Sequence, residues 1–234
     1  MRDRPAAERL ARVLEALRRV HGRRRWSRSG SGVTELVATV LSQNTSGANS
    51  SSAYRQLRRR FGTWDRVARA DVAEIERHIR TAGLSRVKAP RIKAILEQIR
   101  AERGRIDLEF LRDRPVEESY RYLLRFKGVG AKTALCTLLF AFGLPVFPVD
   151  THIYRIARRL GVLPLRVPFA HAHEALTPLI PPADRYEMHV LLIAHGRTTC
   201  RAQNPRCDEC AVRNLCPYGK RHRLALCAAP NARS

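Results

Sequence analysis

Cys200, Cys207, Cys210 and Cys216 constrain this chain more than any other feature, in the pattern C-x6-C-x2-C-x5-C. Four thiolates within one short segment can wrap a single metal centre, so the segment reads as a loop built around one. Structural zinc and an iron–sulfur cluster both accept four cysteines. A zinc ribbon pairs two C-x2-C knuckles across a longer gap, whereas only one C-x2-C is present here, flanked by wider spacings. That spacing favours a cube-shaped cluster held in one loop, with zinc as the alternative. A disulfide reading is weaker. The first residues, Met1 to Leu10, are charged rather than apolar, which reads as no secretory signal. The expected location is therefore the cytoplasm, at the nucleoid of a prokaryote, where thiols stay reduced.

The chain has 234 residues with 44% hydrophobic composition, enough for one large or two small cores. No apolar run reaches the roughly 18 residues of a membrane span, so no membrane partner is expected. Lys and Arg number 44 against 21 Asp and Glu, a formal net charge of +23. The lysines are only Lys88, Lys93, Lys127, Lys132 and Lys220. Codon bias explains Arg over Lys, but it does not explain the excess of cations. A polyanion partner does, and nucleic acid is the natural one, bound through phosphate contacts and counterion release.

Nearly every segment reads as helix. Apolar spacing predicts Ala6 to Val20, with Pro5 near its start, then a basic Gly- and Ser-rich link from His21 to Gly32. Val33 to Leu41, Ser50 to Phe61 and a helix capped by Asp71 running to Arg80 follow. Arg86 to Arg103 is amphipathic despite Pro90, and Pro115 to Phe126 and Ala131 to Phe142 flank a glycine-rich turn. Asp150 or Thr151 caps a helix to Leu160, and Pro168 to Leu179 and Tyr186 to Gly196 complete the set. No strand alternation persists, so the fold class is all-α. The basic tail from Tyr218 to Ser234 is expected to fray.

The turn is Phe126-Lys127-Gly128-Val129-Gly130-Ala131-Lys132-Thr133. Gly128 and Gly130 permit positive φ, and their amides beside a helix N-terminus can form an anion site. The segment reads as a helix-hairpin-helix gripping a DNA phosphate, or as an ordinary helix–helix turn. It is not a Walker A loop, because G-x4-G-K-[ST] is absent. Lys132 falls in the first turn of the second helix, where the helix dipole opposes a cation. That field would lower its pKa and supply the neutral amine a nucleophilic lysine needs. A second phosphate contact is the competing role. Downstream, Pro148-Val149-Asp150-Thr151-His152 offers Asp150, which taken alone is an N-cap. His152, His171 and His173 read as packing or surface residues.

The hairpin, the V-D-T-H and the cysteine loop, in this order, resemble the endonuclease III group of helix-hairpin-helix DNA glycosylases. The resemblance covers roughly Thr34 to Pro217. It implies a [4Fe–4S] cluster on Cys200, Cys207, Cys210 and Cys216, with Leu192 to Arg197 as a similar lead-in. It places Lys132 on the family's catalytic lysine and Asp150 on its catalytic aspartate, at the family's separation. Two all-α domains with a DNA cleft between them are implied: a six-helix domain over 31–144 with the hairpin, and a cluster domain of 1–30 and 145–217, followed by the tail 218–234. The family's Gln-containing wedge loop is similar to Leu41-Ser42-Gln43-Asn44-Thr45-Ser46-Gly47, with Asn44 at the wedge position, Gln43 beside it and Gly47 in place of the usual Asp. Leu84 falls on the intercalating leucine, although by itself it reads as a buried helix-end residue. Phe126-Lys127-Gly128 replaces the usual Leu-Pro-Gly.

By that resemblance the chain is expected to be a monomeric bifunctional glycosylase and AP lyase, acting on double-stranded DNA with damaged bases or abasic sites. Oxidised pyrimidines are the family default. Gln43, Asn44, Leu84, Lys127, Gly128, Val129, Gly130 and Arg197 are the expected DNA contacts. A monofunctional mismatch glycosylase of the same fold is one alternative, but such members carry Ser or Tyr where this chain has Lys132. A non-catalytic DNA-binding iron–sulfur protein is another, and it leaves Lys132 and Asp150 without a role.

Overall fold

The computed structural model describes residues 4–221, and among them every regular element is helical. In chain order α1 is Arg4–His21, α2 Gly32–Ser42, α3 Gly47–Phe61, α4 Trp64–Arg69, α5 Val72–Ile79 and α6 Ser85–Arg103. Then come α7 Val116–Leu124, α8 Ala131–Phe142, α9 Thr151–Arg159, α10 Ala172–Leu176 and α11 Arg185–Thr198. Residues 217–221 are helical, and the rest of the basic tail, with Cys227, lies outside the described residues.

The chain divides into two compact units, one of residues up to Trp26 and from Pro145 on, the other Ser27–Leu144. The boundary therefore lies a few residues before Ser31. Ser29 Oγ donates to Glu35 Oε2 at 2.7 Å and to the Phe140 carbonyl at 3.2 Å. Arg28 pairs with Glu109. These bonds tie the end of the basic link into the second unit.

The hairpin unit holds α2 to α8, seven helices rather than six, because Trp64–Arg69 forms a short one. Side-chain caps set several starts. Ser31 Oγ accepts from Thr34 N–H, Ser46 from Asn49 and Thr63 from Arg66, each relieving an unpaired amide of a first turn. Asp71 stands at the N-cap of α5 without making that bond. The helix α8 reads AKTALCTLLFAF, and Thr133 to Leu139 are all buried. A helix that is apolar all round belongs inside a core. It packs on α2, whose Leu36, Val37, Val40 and Leu41 are buried as well. The one charged residue of α8, Lys132, is thereby held at the end of its most deeply fixed element.

The other unit has its own core, in which α11 packs against α1 and α9. Arg18 of α1 donates to Glu187 of α11 at 3.0 and 2.6 Å and to Asp184 at 3.1 Å. Burial works to raise the Glu187 carboxyl, but the bonds from Arg18 and from the Arg24 amide, with the charges of Arg18 and Arg23, together hold it below the usual range. The expected helix from Pro168 to Leu179 is broken into a 3-10 turn, the short α10 and a second 3-10 turn at Thr177–Leu179. Pro178 has no N–H for an α-helical bond there.

Candidate functional site

The turn before α8 is anchored by its apolar residues and presents its polar ones. Phe126 and Val129 are buried, while Lys127, Gly128 and Gly130 are exposed. Only Gly128 has positive φ, at 83°. Gly130 is the extended N-cap of α8, with φ at −95°. The Val129 N–H donates to the Phe126 carbonyl at 3.0 Å. That bond closes the turn, with Gly128 and Gly130 exposed on either side of it. Lys132 follows in the first turn of α8, half-buried.

A short network supports the hairpin. Gln43 Nε2 donates to the Gly128 carbonyl at 3.2 Å and to Thr133 Oγ1 at 3.1 Å. Arg91 Nη1 donates to Gln43 Oε1 at 2.8 Å. Gln43 is therefore a brace of the hairpin, half-buried, rather than a free wedge. Asn44 is the exposed member of the pair and sits in the left-handed region at φ 52°. Leu84 also has left-handed backbone, φ 51°, and its side chain is 55% exposed, so it is not a buried helix end. Asparagine adopts this backbone readily, but for leucine it costs about 1 kcal/mol, and such strain persists only where surrounding structure imposes it.

Glu35, on the face of α2 toward α8, lay outside the sequence reading. It accepts from Ser29 Oγ and from Thr39 Oγ1, the latter at 3.2 Å. Burial pushes its carboxyl up, and the bonds from Ser29 and Thr39 and the nearby positive charge of Lys132 partly offset that. Glu35 is a carboxylate within electrostatic reach of the Lys132 amine in the same unit. A glutamate inside an apolar helix was the signal that could have found it.

Asp150 belongs to the other unit and caps α9. Its Oδ1 accepts from Ile153 N–H at 2.8 Å. The cap alone accounts for an aspartate here, as its sequence suggested, while the carboxylate keeps lone pairs to spare.

The cysteine loop lies in the same unit. Cys200, Cys207, Cys210 and Cys216 line one cavity together with Ile156, Arg159 and His195. Among the described residues no three His, Cys, Asp or Glu side chains converge on a point where a single ion would sit. Burial and the neighbouring sulfurs push the Cys210 thiol up to about 11, and burial raises Cys207 and Cys216 too. Thiols gathered this way ionise together only when cations neutralise them. The donor set, four sulfurs around a cavity, fits a cluster better than a lone ion. Burial drives His195 down to about 4, so a neutral imidazole lies 3.7 Å from Cys210 Sγ.

Two arginines of α9 hold this loop. Arg155 donates to the carbonyl of Cys200 at 2.8 Å and to that of Gly196 at 3.1 Å. Arg159 donates to Cys200 Sγ at 3.2 Å and to the carbonyls of Arg201 at 2.7 Å and Ala202 at 3.1 Å. The i,i+4 spacing of these arginines on a helix capped by Asp150 was the available signal. Arg197 stands exposed in the last turn of α11, beside the loop. Cys136 is a buried residue of α8.

An all-helical chain with a glycine hairpin opening onto a buried helix, and a four-cysteine loop, defines a class of nucleic-acid-binding protein. Residues 37–179 match the HhH-GPD superfamily of base excision DNA repair proteins, and the chain belongs to that family. It is 36% identical over 185 residues to endonuclease III of Sulfolobus acidocaldarius, covering 78% of this chain and 80% of that one. It is 42% identical over 162 residues to the Arabidopsis thaliana protein At3g47830, of whose length it spans 55%. A solved structure of a trapped endonuclease III–DNA covalent intermediate superposes with a TM-score of 0.80 at 27% identity, over 93% of this chain and 98% of that one.

Proposed function

We propose that this chain is a bifunctional DNA glycosylase and AP lyase that excises a damaged base through Lys132. The observation that carries the reading is Lys132 itself, the one charged side chain of a buried helix, directly after a hairpin whose Gly128 and Gly130 are exposed. The likeness to a trapped endonuclease III–DNA covalent intermediate supports a covalent step. Chemistry on a base requires its extrusion from the stack, at a cost of a few kcal/mol that is least for damaged pairs. The hairpin amides and Lys127 hold phosphate, and the excess of cations supplies the rest of the binding.

Lys132 Nζ attacks C1′ of the extruded nucleotide and the C1′–N bond electrons leave with the base, which takes up a proton. Asp150 stabilises the positive charge that develops on the sugar. The C1′–O4′ bond then breaks as the Nζ lone pair forms the C1′=N bond, O4′ takes up a proton released from Nζ, and the amine holds C1′ as a Schiff base. Loss of a C2′ proton expels the 3′ phosphate by β-elimination, and water releases the enzyme. Oxidised pyrimidines are the proposed lesions, and the protein acts as a monomer.

Cys200, Cys207, Cys210 and Cys216 are proposed to hold a [4Fe–4S] cluster. Its contribution when bound is structural: it orders the loop bearing Arg201 and Arg206 beside Arg197, and so presents cations to the DNA backbone. Borohydride treatment with abasic-site DNA tests the whole reading. A wild-type protein–DNA adduct that disappears in Lys132→Gln is expected. An adduct of equal yield in the variant would assign the reaction to another amine.

A further inference from the structure

Lys88 of α6 is 1% exposed, among the largest fully buried side chains of the protein. Its Nζ donates to the carbonyl of Leu41 and to that of Ala82, each at 2.7 Å. Both partners are neutral, and no carboxylate pairs with Lys88 among the described ion pairs. A buried ammonium without an anion is costly, and a methionine would fill the same space without that cost. Burial, with the charge of Arg91, accordingly pulls its pKa below the usual lysine value. The two bonds that offset this cost join separate parts of the unit.

They join two loop tips. Leu41 lies in the last turn of α2, three residues before Asn44. A cation there also complements the carbonyl end of the helix. Ala82 ends the 3-10 turn Arg80–Ala82, two residues before Leu84. The described chain holds three non-glycine residues with positive φ, and Asn44 and Leu84 are two of them. Both are exposed. Two solvent-facing tips with left-handed backbone, distant in sequence, are thus tied to one buried amine.

We propose that Lys88 is a positioning residue that locks the Asn44 and Leu84 tips into one rigid wedge, so that both enter the base stack of a duplex together. The inference rests on the reading of the chain as a DNA glycosylase. A wedge that is already ordered spends no binding energy on ordering its tips when it displaces a base pair. Without the amine the tips would still meet DNA, but each extrusion would carry that ordering cost.

The test compares Lys88→Met with the wild type under single turnover, on a duplex with a damaged base and on a duplex with a preformed abasic site. Base excision should slow about tenfold, the effect of about two lost hydrogen bonds on one step. Nicking of the abasic site, whose extrusion displaces no base, should change by about twofold or less. In a Leu84→Ala background, Lys88→Met should add little further, because its effect runs through that tip. Equal slowing of both reactions, or effects that multiply in the double variant, would assign Lys88 to general stability and overturn the proposal. If Lys88→Met does not fold, the same comparisons decide with Lys88→Leu, which also lacks a donor. A wild type inactive on both duplexes would overturn the functional reading, and the inference with it.

Discussion

The guanidinium of Arg91 fills the space that a side chain on Gly128 would need, and from there it hydrogen-bonds Gln43. Gln43 in turn accepts that bond while donating to the Gly128 carbonyl. Glycine at 128 therefore answers two requirements at once, a φ of 83° and the close passage of a cation.

Gly128→Ala should consequently do more than strain a turn. The left-handed conformation and the displaced Arg91 bond together should lower stability by about 2 kcal/mol. Thermal unfolding measures the loss. Affinity for abasic-site duplex should fall in parallel, and Arg91→Ala in the variant should cost little more. Unchanged affinity in Gly128→Ala would separate the hairpin from DNA binding.

Asp150 has a structural duty and a proposed chemical one, and asparagine divides them. Asparagine caps a helix as well as aspartate, so Asp150→Asn should keep the Ile153 bond and unfold within about 0.5 kcal/mol of the wild type. Base excision should nonetheless slow on the order of 10²-fold, with nicking of a preformed abasic site affected less, because only glycosidic cleavage builds cationic charge on the sugar. Asp150→Ala should lose about 1 kcal/mol of stability as well. Wild-type excision by Asp150→Asn would leave the residue as a cap alone.

Glu35 sets a pH dependence of stability. Its folded carboxyl titrates above the unfolded value, chiefly because of burial. Such a group favours the folded state when protonated, and that advantage is lost as pH rises through the folded pKa. Glu35→Gln should therefore unfold at the same temperature as the wild type near pH 4, and at a higher temperature at pH 8. Melting curves across that range give the answer. A gap of constant size at every pH would show that the carboxyl is not perturbed.

The cysteine loop makes a prediction about composition. Protein purified without oxygen should contain about four irons per chain, and Cys207→Ala should lose most of them together with thermal stability. Stoichiometric zinc without iron would replace the cluster by a single-ion site.

Much of this was legible along the chain, and what was not has physical reasons. The cysteine spacing, Lys132 after the glycine turn, and α8 over Ala131–Phe142 are local patterns, and the residues that carry them are contiguous. Lys88 is not legible, because a lysine in an amphipathic helix reads as solvated until the carbonyls of Leu41 and Ala82 are seen around it. Gln43 reads as a free tip for the same reason, since its partners Gly128 and Arg91 are far off in sequence. The Pro168 to Leu179 segment failed differently. Its apolar spacing suits one helix, but Pro178 interrupts the amide ladder that such a helix needs. The short α4 is only six residues, too brief for periodicity to register.

The helix α9 is a strut with a different load at each end. Asp150 caps its start, and at its finish Arg159 grips Cys200 and the next two residues of the cysteine loop. Cys216 Sγ in turn meets the Arg159 carbonyl at 3.2 Å. Nine residues of helix make a rod about 13 Å long, stiff enough to carry displacement from one end to the other. If Asp150 has its proposed role, a disturbed cysteine loop would shift the aspartate at the other end of this rod. On the proposed chemistry, oxidation of the loop would therefore cost both its hold on DNA and the speed of cutting.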